Sequence, residues 1–161
     1  MKYLFLALSS FLAIAAQMIA GRNFYLFNFL DLSLILIAYW AVYRSRTQAL
    51  FVGSFTGLLM DAAIGWPLGF HGFGKTVAAF VIGQVGKRFN VEEVWIRFVL
   101  IASGSCLSSL SIYALCLLLE RSSSSTYLGA SLLQALVTAA VGVLVFAAVD
   151  AYNRSQARKA G

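Results

Sequence analysis

The apolar residues of this chain form long continuous runs separated by short polar connections. A helix needs about 20 predominantly apolar residues to cross the hydrocarbon core of a bilayer. Membrane strands would instead alternate between apolar and polar residues. The pattern therefore predicts six transmembrane helices, at approximately 3–20, 24–43, 48–64, 68–86, 94–119 and 127–149.

The composition agrees with a membrane protein and excludes a water-soluble one. Of the 161 residues, 61% are hydrophobic and 11% are charged, whereas a soluble domain has roughly 25% charged residues. The connections are too short to hold a soluble domain. We therefore predict an all-α integral membrane protein, in which residues 1–161 form a single transmembrane domain, a bundle of six helices.

The basic residues predict the orientation of the bundle. With six spans, only Arg22 and Arg121 fall on one side of the membrane. Cytoplasmic loops are enriched in Lys and Arg, so the other side is predicted to be cytoplasmic and to hold both termini. The net charge is +6, but its dispersal between the runs does not favour nucleic-acid binding. The basic residues on the predicted cytoplasmic side are Lys2, Arg44, Arg46, Lys87, Arg88, Arg154, Arg158 and Lys159.

The first run has an alternative interpretation as a secretory signal. Lys2 precedes an apolar stretch, and the triplet at 13–15, Ala-Ile-Ala, imitates a cleavage site. The run is longer than the 7–15 residues of a signal core, so we favour an uncleaved span. Its removal would leave the other five spans in the same orientation.

Four residues with side chains that are energetically costly to place in lipid lie within the apolar runs. They are Asp31, Asp61, His71 and Lys75, and the predicted topology places all four in the outer half of the membrane. A charge at mid-bilayer costs about 2.5–3.5 kcal/mol, so Lys75 is expected to pair with either Asp61 or Asp31. Such a pair more often locks helices together than binds a ligand, but a polar pocket or a docking site for another helix stays open.

Glycines at regular spacing predict where two helices pack closely. In the third run, Gly53, Gly57 and Gly65 recur with Asp61 at four-residue spacing, so they lie along one face of a helix. Small residues at this spacing let membrane helices approach each other, and the fourth run has a comparable face. The predicted packing and partner face consists of Gly53, Gly57, Gly65, Gly69, Gly72 and Gly83, and the predicted turn contains Trp66 and Pro67.

Catalytic and metal-binding patterns are absent from the sequence. His71 is the single histidine, and the Gly-Lys-Thr at 74–76 lacks the first glycine of a phosphate-binding loop. Cys106 and Cys116 lie ten residues apart in one apolar run, so they face different sides of a helix and are expected to be inert. We predict no catalysis, no cofactor and no metal site.

Three segments together resemble the rod shape-determining protein MreD family. They are 31–40, 51–61 and 67–72, which carry Gly-x-x-x-Gly-x-x-x-Asp at 53–61 followed by Pro-Leu-Gly at 67–69. The resemblance is sharpest over 31–83. Family members often have a proline where this chain has Leu30, which is a departure at the start of the second run.

The resemblance implies a non-catalytic scaffold in the bacterial inner membrane. Its partners would be an MreC-like single-span periplasmic protein, an MreB-like filament, the wall synthases of the cell-elongation complex and membrane lipid. A homo-oligomer is also compatible with this role. The mechanism would be to couple cytoplasmic filaments to periplasmic wall synthesis through contacts between membrane helices.

Two other classes of function compete with the scaffold. Substrate-binding subunits of energy-coupling-factor vitamin transporters are similar in length, have six helices, and carry an alanine pair that Ala16 and Ala20 resemble. An ion-coupled or proton-coupled transporter would use the acidic residues as relays. The short loops provide no evident lid and the sequence shows no inverted repeat, so we favour the scaffold.

Overall fold

Six helices make up the computed structural model, which describes residues 2–23, 30–89, 91, 93–119 and 126–159. Each predicted apolar run overlaps one of them, so the all-helical prediction is confirmed for the described residues. The helices are α1 (Lys2–Asn23), α2 (Leu32–Tyr43), α3 (Arg46–Ile64), α4 (Phe70–Val85), α5 (Val94–Leu118) and α6 (Thr126–Lys159).

Three helices are long and apolar enough to cross a membrane over the described residues. They are α3, α5 and the Gly129–Gln156 part of α6. In contrast, α2 has 12 residues and α4 has 16, which correspond to about 18 Å and 24 Å of helix. The six-span arrangement and the cytoplasmic termini therefore stay predictions.

The second helix begins later than the sequence predicts. The apolar run starts at residue 24, but α2 starts at Leu32. Residues 30 and 31 are not helical, and 24–29 lie outside the described residues. The cause is Asp31, whose carboxylate accepts a hydrogen bond of 3.0 Å from the Leu34 N–H and so caps the helix. Asp31 stands at a helix start and not inside a helix.

Contacts at both ends of α2 show that α2 and α6 run in the same direction. The Asp31 N–H donates to the Thr138 hydroxyl at 3.1 Å, and the Tyr43 hydroxyl donates to the Asp150 carboxylate at 2.9 Å. Both pairs are separated by 107 residues, so the two helices advance together. Parallel even-numbered helices are what successive membrane crossings require.

Neighbouring helices from α3 to α6 run in opposite directions. In each adjacent pair, a residue early in one helix contacts a residue late in the next. A residue further along the first helix contacts one closer to the start of the second. This alternation is that of a chain folding back and forth through one bundle. The contacts that establish it are Ser54–Thr76 and Arg46–Gln84 for α3 and α4, Gly74–Ser108 and Gly86–Leu100 for α4 and α5, and Arg97–Asp150 and Ile101–Gly142 for α5 and α6.

The short helices α2 and α4 hold the centre of the bundle. Leu34, Ile37 and Ala38 of α2 are fully buried, as are Ala78 and Ala79 of α4. Large apolar side chains are exposed on the outer helices, where lipid or another helix replaces water as their surroundings. The exposed leucines of α1, α5 and α6 include Leu8, Leu12, Leu110, Leu117, Leu132, Leu136 and Leu144.

The backbones of α3 and α4 are in direct contact at glycines. A Cβ atom on Gly53 would lie 2.8 Å from the Lys75 carbonyl oxygen, and one on Gly57 would lie 2.5 Å from the His71 carbonyl carbon. Gly72 presents its own backbone to Gly57 at the same crossing. Since real Cβ atoms do not approach backbone so closely, these positions admit only glycine at this helix separation.

Three other glycines of the predicted packing face do not have that role. Gly65 and Gly69 lie in the turn between α3 and α4 with φ angles of 74° and 108°, and a Cβ atom there would meet nothing within 4 Å. A Cβ atom on Gly83 would be 3.7 Å from the nearest atom, in Arg46, which is an ordinary contact. The four-residue spacing continued past the end of α3, so it could not distinguish a helix face from a turn. The sequence analysis also missed Gly74, where a Cβ would lie 2.8 Å from the Ser108 carbonyl oxygen.

We expect Gly57→Ala to destabilise the protein and Gly83→Ala to have little effect. Both changes add one methyl group to a helical glycine, but only at Gly57 must the backbones of α3 and α4 separate. Overpacking of this kind costs about 1–3 kcal/mol. Thermal unfolding of the detergent-solubilised protein measures the difference, and equal midpoints for the two variants would contradict the close contact.

Candidate functional site

Lys75 forms a buried ion pair with Asp31. Its Nζ atom lies 2.8 Å and 2.9 Å from the two carboxylate oxygens of Asp31, and it also donates to the Ser33 hydroxyl. The Lys75 side chain is 1% exposed. Of the two partners that the sequence left open, the structure pairs Lys75 with Asp31, and these three contacts match the three donors of an ammonium group.

The same aspartate ties three helices together. Besides Lys75 of α4, the Asp31 carboxylate accepts from Leu34 in the first turn of α2 and from the Ser33 hydroxyl at 2.5 Å. Its backbone N–H donates to Thr138 of α6. We call Asp31, Ser33, Lys75 and Thr138 the lysine cluster. All four are buried, so the lysine cluster joins α2, α4 and α6 inside the bundle.

Asp61 lies in the last turn of α3, and its side chain binds the start of α4 across the turn that joins the two helices. Its carboxylate accepts from the backbone N–H groups of Gly69 at 2.8 Å, His71 at 3.1 Å and Gly72 at 3.4 Å. The Nδ1 atom of His71 lies 2.7 Å from the same carboxylate. Asp61 is fully buried, and we call this arrangement the aspartate cap.

The aspartate cap meets a need of the helix that follows it. The first N–H groups of any α-helix lack partners within the helix, and an unsatisfied group costs several kcal/mol in apolar surroundings. Gly69, the residue before α4, has no side chain with which to cap it. The carboxylate of Asp61 satisfies these donors, and its negative charge lies at the positive end of the α4 dipole.

The turn geometry explains why Asp61 can reach across. The N–H groups of Gly65 and Trp66 donate to the Asp61 carbonyl oxygen, the latter at 3.0 Å. α3 thus ends at its C-cap Gly65, which has a left-handed backbone conformation that glycine adopts without strain. Asp61 therefore terminates one helix with its backbone and starts the next with its side chain.

His71 completes the aspartate cap at its more exposed side. Its side chain is 14% exposed and lies edge-on to the ring of Trp66, with centroids 5.5 Å apart. Trp66 is itself partly exposed, as expected for an aromatic residue near a membrane boundary. The predicted turn residues Trp66 and Pro67 lie between Gly65 and Gly69, in the turn between α3 and α4.

The four polar residues predicted as one cluster thus form two separate pairs. Lys75 binds Asp31, and His71 binds Asp61. Each carboxylate also satisfies the start of a central helix, α2 or α4. Lys75 neutralises Asp31, His71 is hydrogen-bonded to Asp61, and both carboxylates cap helices, so the two pairs fix the positions of the helices.

The sequence analysis missed a third polar group, at the other end of the bundle. The Nη2 atom of Arg97 lies 2.6 Å from the Asp150 carboxylate, which also accepts from Tyr43. The Arg97 guanidinium lies over the ring of Phe146, 5.6 Å from its centroid. Arg97 falls inside the fifth apolar run, so the cost argument that singled out Lys75 would also have found it.

Comparison with known proteins assigns the family. A family model described as rod shape-determining protein MreD matches residues 1–151. The chain belongs to the MreD family. The match includes the lysine cluster, the aspartate cap and the Arg97–Asp150 pair, and the family implies a membrane protein with a role in determining rod shape. No curated protein and no solved structure matches the chain.

We expect Lys75→Met to destabilise this MreD-family protein by about 3–5 kcal/mol, because it leaves the buried Asp31 charge without a partner. Asp31→Asn alone should also destabilise it, since Lys75 then stays charged and unpaired. In the double variant the asparagine still caps α2 and no buried charge remains, so most of the stability should return. Unfolding midpoints of the four proteins test this, and additive losses in the double variant would exclude the pairing.

Proposed function

We propose that this chain is a multi-pass scaffold of the bacterial cell-elongation complex in the inner membrane. The observation that carries the proposal is the MreD family match over residues 1–151. The scaffold would support rod shape and lateral peptidoglycan synthesis by binding an MreC-like single-span protein. Contacts with an MreB-like filament and wall synthases would be direct or pass through that partner.

The distribution of polar and apolar groups is consistent with a scaffold. The buried charges of the lysine cluster and the aspartate cap bind groups within the chain, so they hold the helices in fixed positions. The exposed side chains of α1, α5 and α6 are largely apolar. A single-span partner would therefore be held by packing against these outer faces, where close fit and not charge drives association between membrane helices.

The α3–α4 hairpin is the element that would keep the scaffold rigid. Its helices touch at Gly53 and Gly57, and the aspartate cap bonds the end of α3 to the start of α4. A rigid hairpin at the centre of the bundle would hold the outer helices at fixed spacing. Partners bound on different faces would then keep a fixed relation to each other.

The vitamin-transporter alternative is not favoured by these contacts. A substrate site would need donors or acceptors directed into a cavity. Instead, the ammonium group of Lys75 contacts Asp31 and Ser33, and the Asp61 carboxylate is occupied by the start of α4. In each of these described pairs, the polar groups bind each other and are not directed into a cavity.

We expect Gly57→Leu and Asp61→Leu to weaken partner recovery and to widen or round the cells. The first change forces α3 and α4 apart, and the second leaves the start of α4 uncapped. The tagged chain replaces the native copy, is purified in mild detergent, and its co-purifying proteins are identified by mass spectrometry. Recovery is expressed per molecule of tagged chain in the membrane, so reduced abundance is not counted as lost binding.

Ala63→Leu is the matched control, because Ala63 is an exposed residue of α3 and does not lie on the outer faces of α1, α5 and α6. Normal recovery and normal cell width in both test variants would contradict the scaffold. Recovery of paired ATPases with a coupling membrane protein, in place of wall-synthesis proteins, would assign the chain to a vitamin transporter.

A further inference from the structure

A cleft of about 450 Å³ opens between the start of α5 and the end of α6. Its volume is within the range of small-molecule sites. It lies at the opposite end of α2 from the lysine cluster, because Tyr43 and not Asp31 reaches its wall. The polar residues that line it are Arg97, Asp150, Arg154 and Ser155, and the apolar ones include Ala147 and Ala151.

The cleft has a net positive lining and a fixed arginine. Arg97 is 5% exposed, and its guanidinium is held by the Asp150 carboxylate and by the Val91 carbonyl oxygen at 2.5 Å. The Asp150 oxygens are engaged by Arg97 and Tyr43. Arg154, by contrast, is exposed at the rim. Guanidinium groups bind phosphate oxygens with several donors at once, so an anionic phosphate ester suits this lining.

The depth of the cleft is that of lipid headgroups. Trp95, two residues before Arg97, is 72% exposed, and exposed tryptophans concentrate at the membrane–water boundary. Lys87 and Arg88, just before α5, are on the predicted cytoplasmic side. Basic pockets between membrane helices on that side bind anionic lipid headgroups.

We propose that this cleft binds the phosphate headgroup of an anionic phospholipid from the inner leaflet. Arg154 and the Ser155 hydroxyl contact the phosphate at the rim, and Arg97 supplies a fixed positive charge deeper in the cleft. The alanines of α6 accommodate the glycerol backbone against an apolar wall. The site is independent of the scaffold function, and its test does not use partner recovery or cell shape.

Native mass spectrometry of the full-length chain in detergent, titrated with phosphatidylglycerol or phosphatidylcholine, tests the proposal. We expect tighter binding of phosphatidylglycerol, and about a fivefold loss of that binding in Arg154→Gln. Arg88→Gln is the matched control, since Arg88 is also exposed on the predicted cytoplasmic side but does not line the cleft. Equal binding of the two lipids, or equal losses in the two variants, would overturn the proposal.

A second variant tests the cleft by volume and not by charge. Ala151→Leu should fill the cleft and reduce phosphatidylglycerol binding, while Ala148→Leu, at an exposed residue outside the lining, should not. Equal phosphatidylglycerol binding by these two variants would exclude the cleft as the site.

Titration with glycerol 1-phosphate separates a lipid headgroup from a soluble phosphate ester. It should bind more weakly than phosphatidylglycerol, because it lacks the acyl chains that hold the headgroup at the membrane. Tighter binding of glycerol 1-phosphate would assign the cleft to a soluble ligand and overturn the lipid source.

Discussion

The backbone N–H groups at the start of a helix need partners, and apolar surroundings offer no water to supply them. Two short central helices of this protein meet that constraint with aspartates. Asp31 caps α2 at its own N-terminus, and Asp61 reaches back from α3 to cap α4. The carboxylates cannot stay there as isolated charges. Lys75 pairs with the first and His71 lies against the second, so the polar residues of the interior follow from the need to begin two helices inside the bundle.

These caps also determine how the helices assemble. Asp31 is bonded to α4 and α6 as well as to α2, so its cap brings three helices together. Asp61 allows α3 to turn back sharply into α4, and Gly53 and Gly57 let the two backbones touch along the hairpin. In this MreD-family protein, the caps and the glycine contacts fix the packing of the central helices and leave apolar outer faces, which is consistent with the proposed membrane scaffold.

The sequence predicted the helices well because a segment surrounded by lipid must be apolar over its length and must form its backbone hydrogen bonds internally. It also found the costly residues Asp31 and Lys75, since a buried charge departs from an apolar background. It could not choose the partner of Lys75, because that depends on packing between helices that are distant in sequence. The four-residue spacing placed Gly65 on a packing face although it begins a turn. The same cost argument applies to Arg97, but Arg97 is only the fourth residue of its apolar run, a position where basic residues of loops are also found.

Amide hydrogen exchange at residues 69–72, in the purified full-length protein, tests the capping role of Asp61 most directly. Asp61→Ala should accelerate exchange in this segment, while Asp61→Asn, which keeps an acceptor oxygen, should accelerate it less. Exchange at Leu34, which Asp31 caps, should be unchanged in both variants and serves as the internal control. Unaltered protection of residues 69–72 in Asp61→Ala would show that α4 does not depend on this carboxylate, and would contradict the central claim.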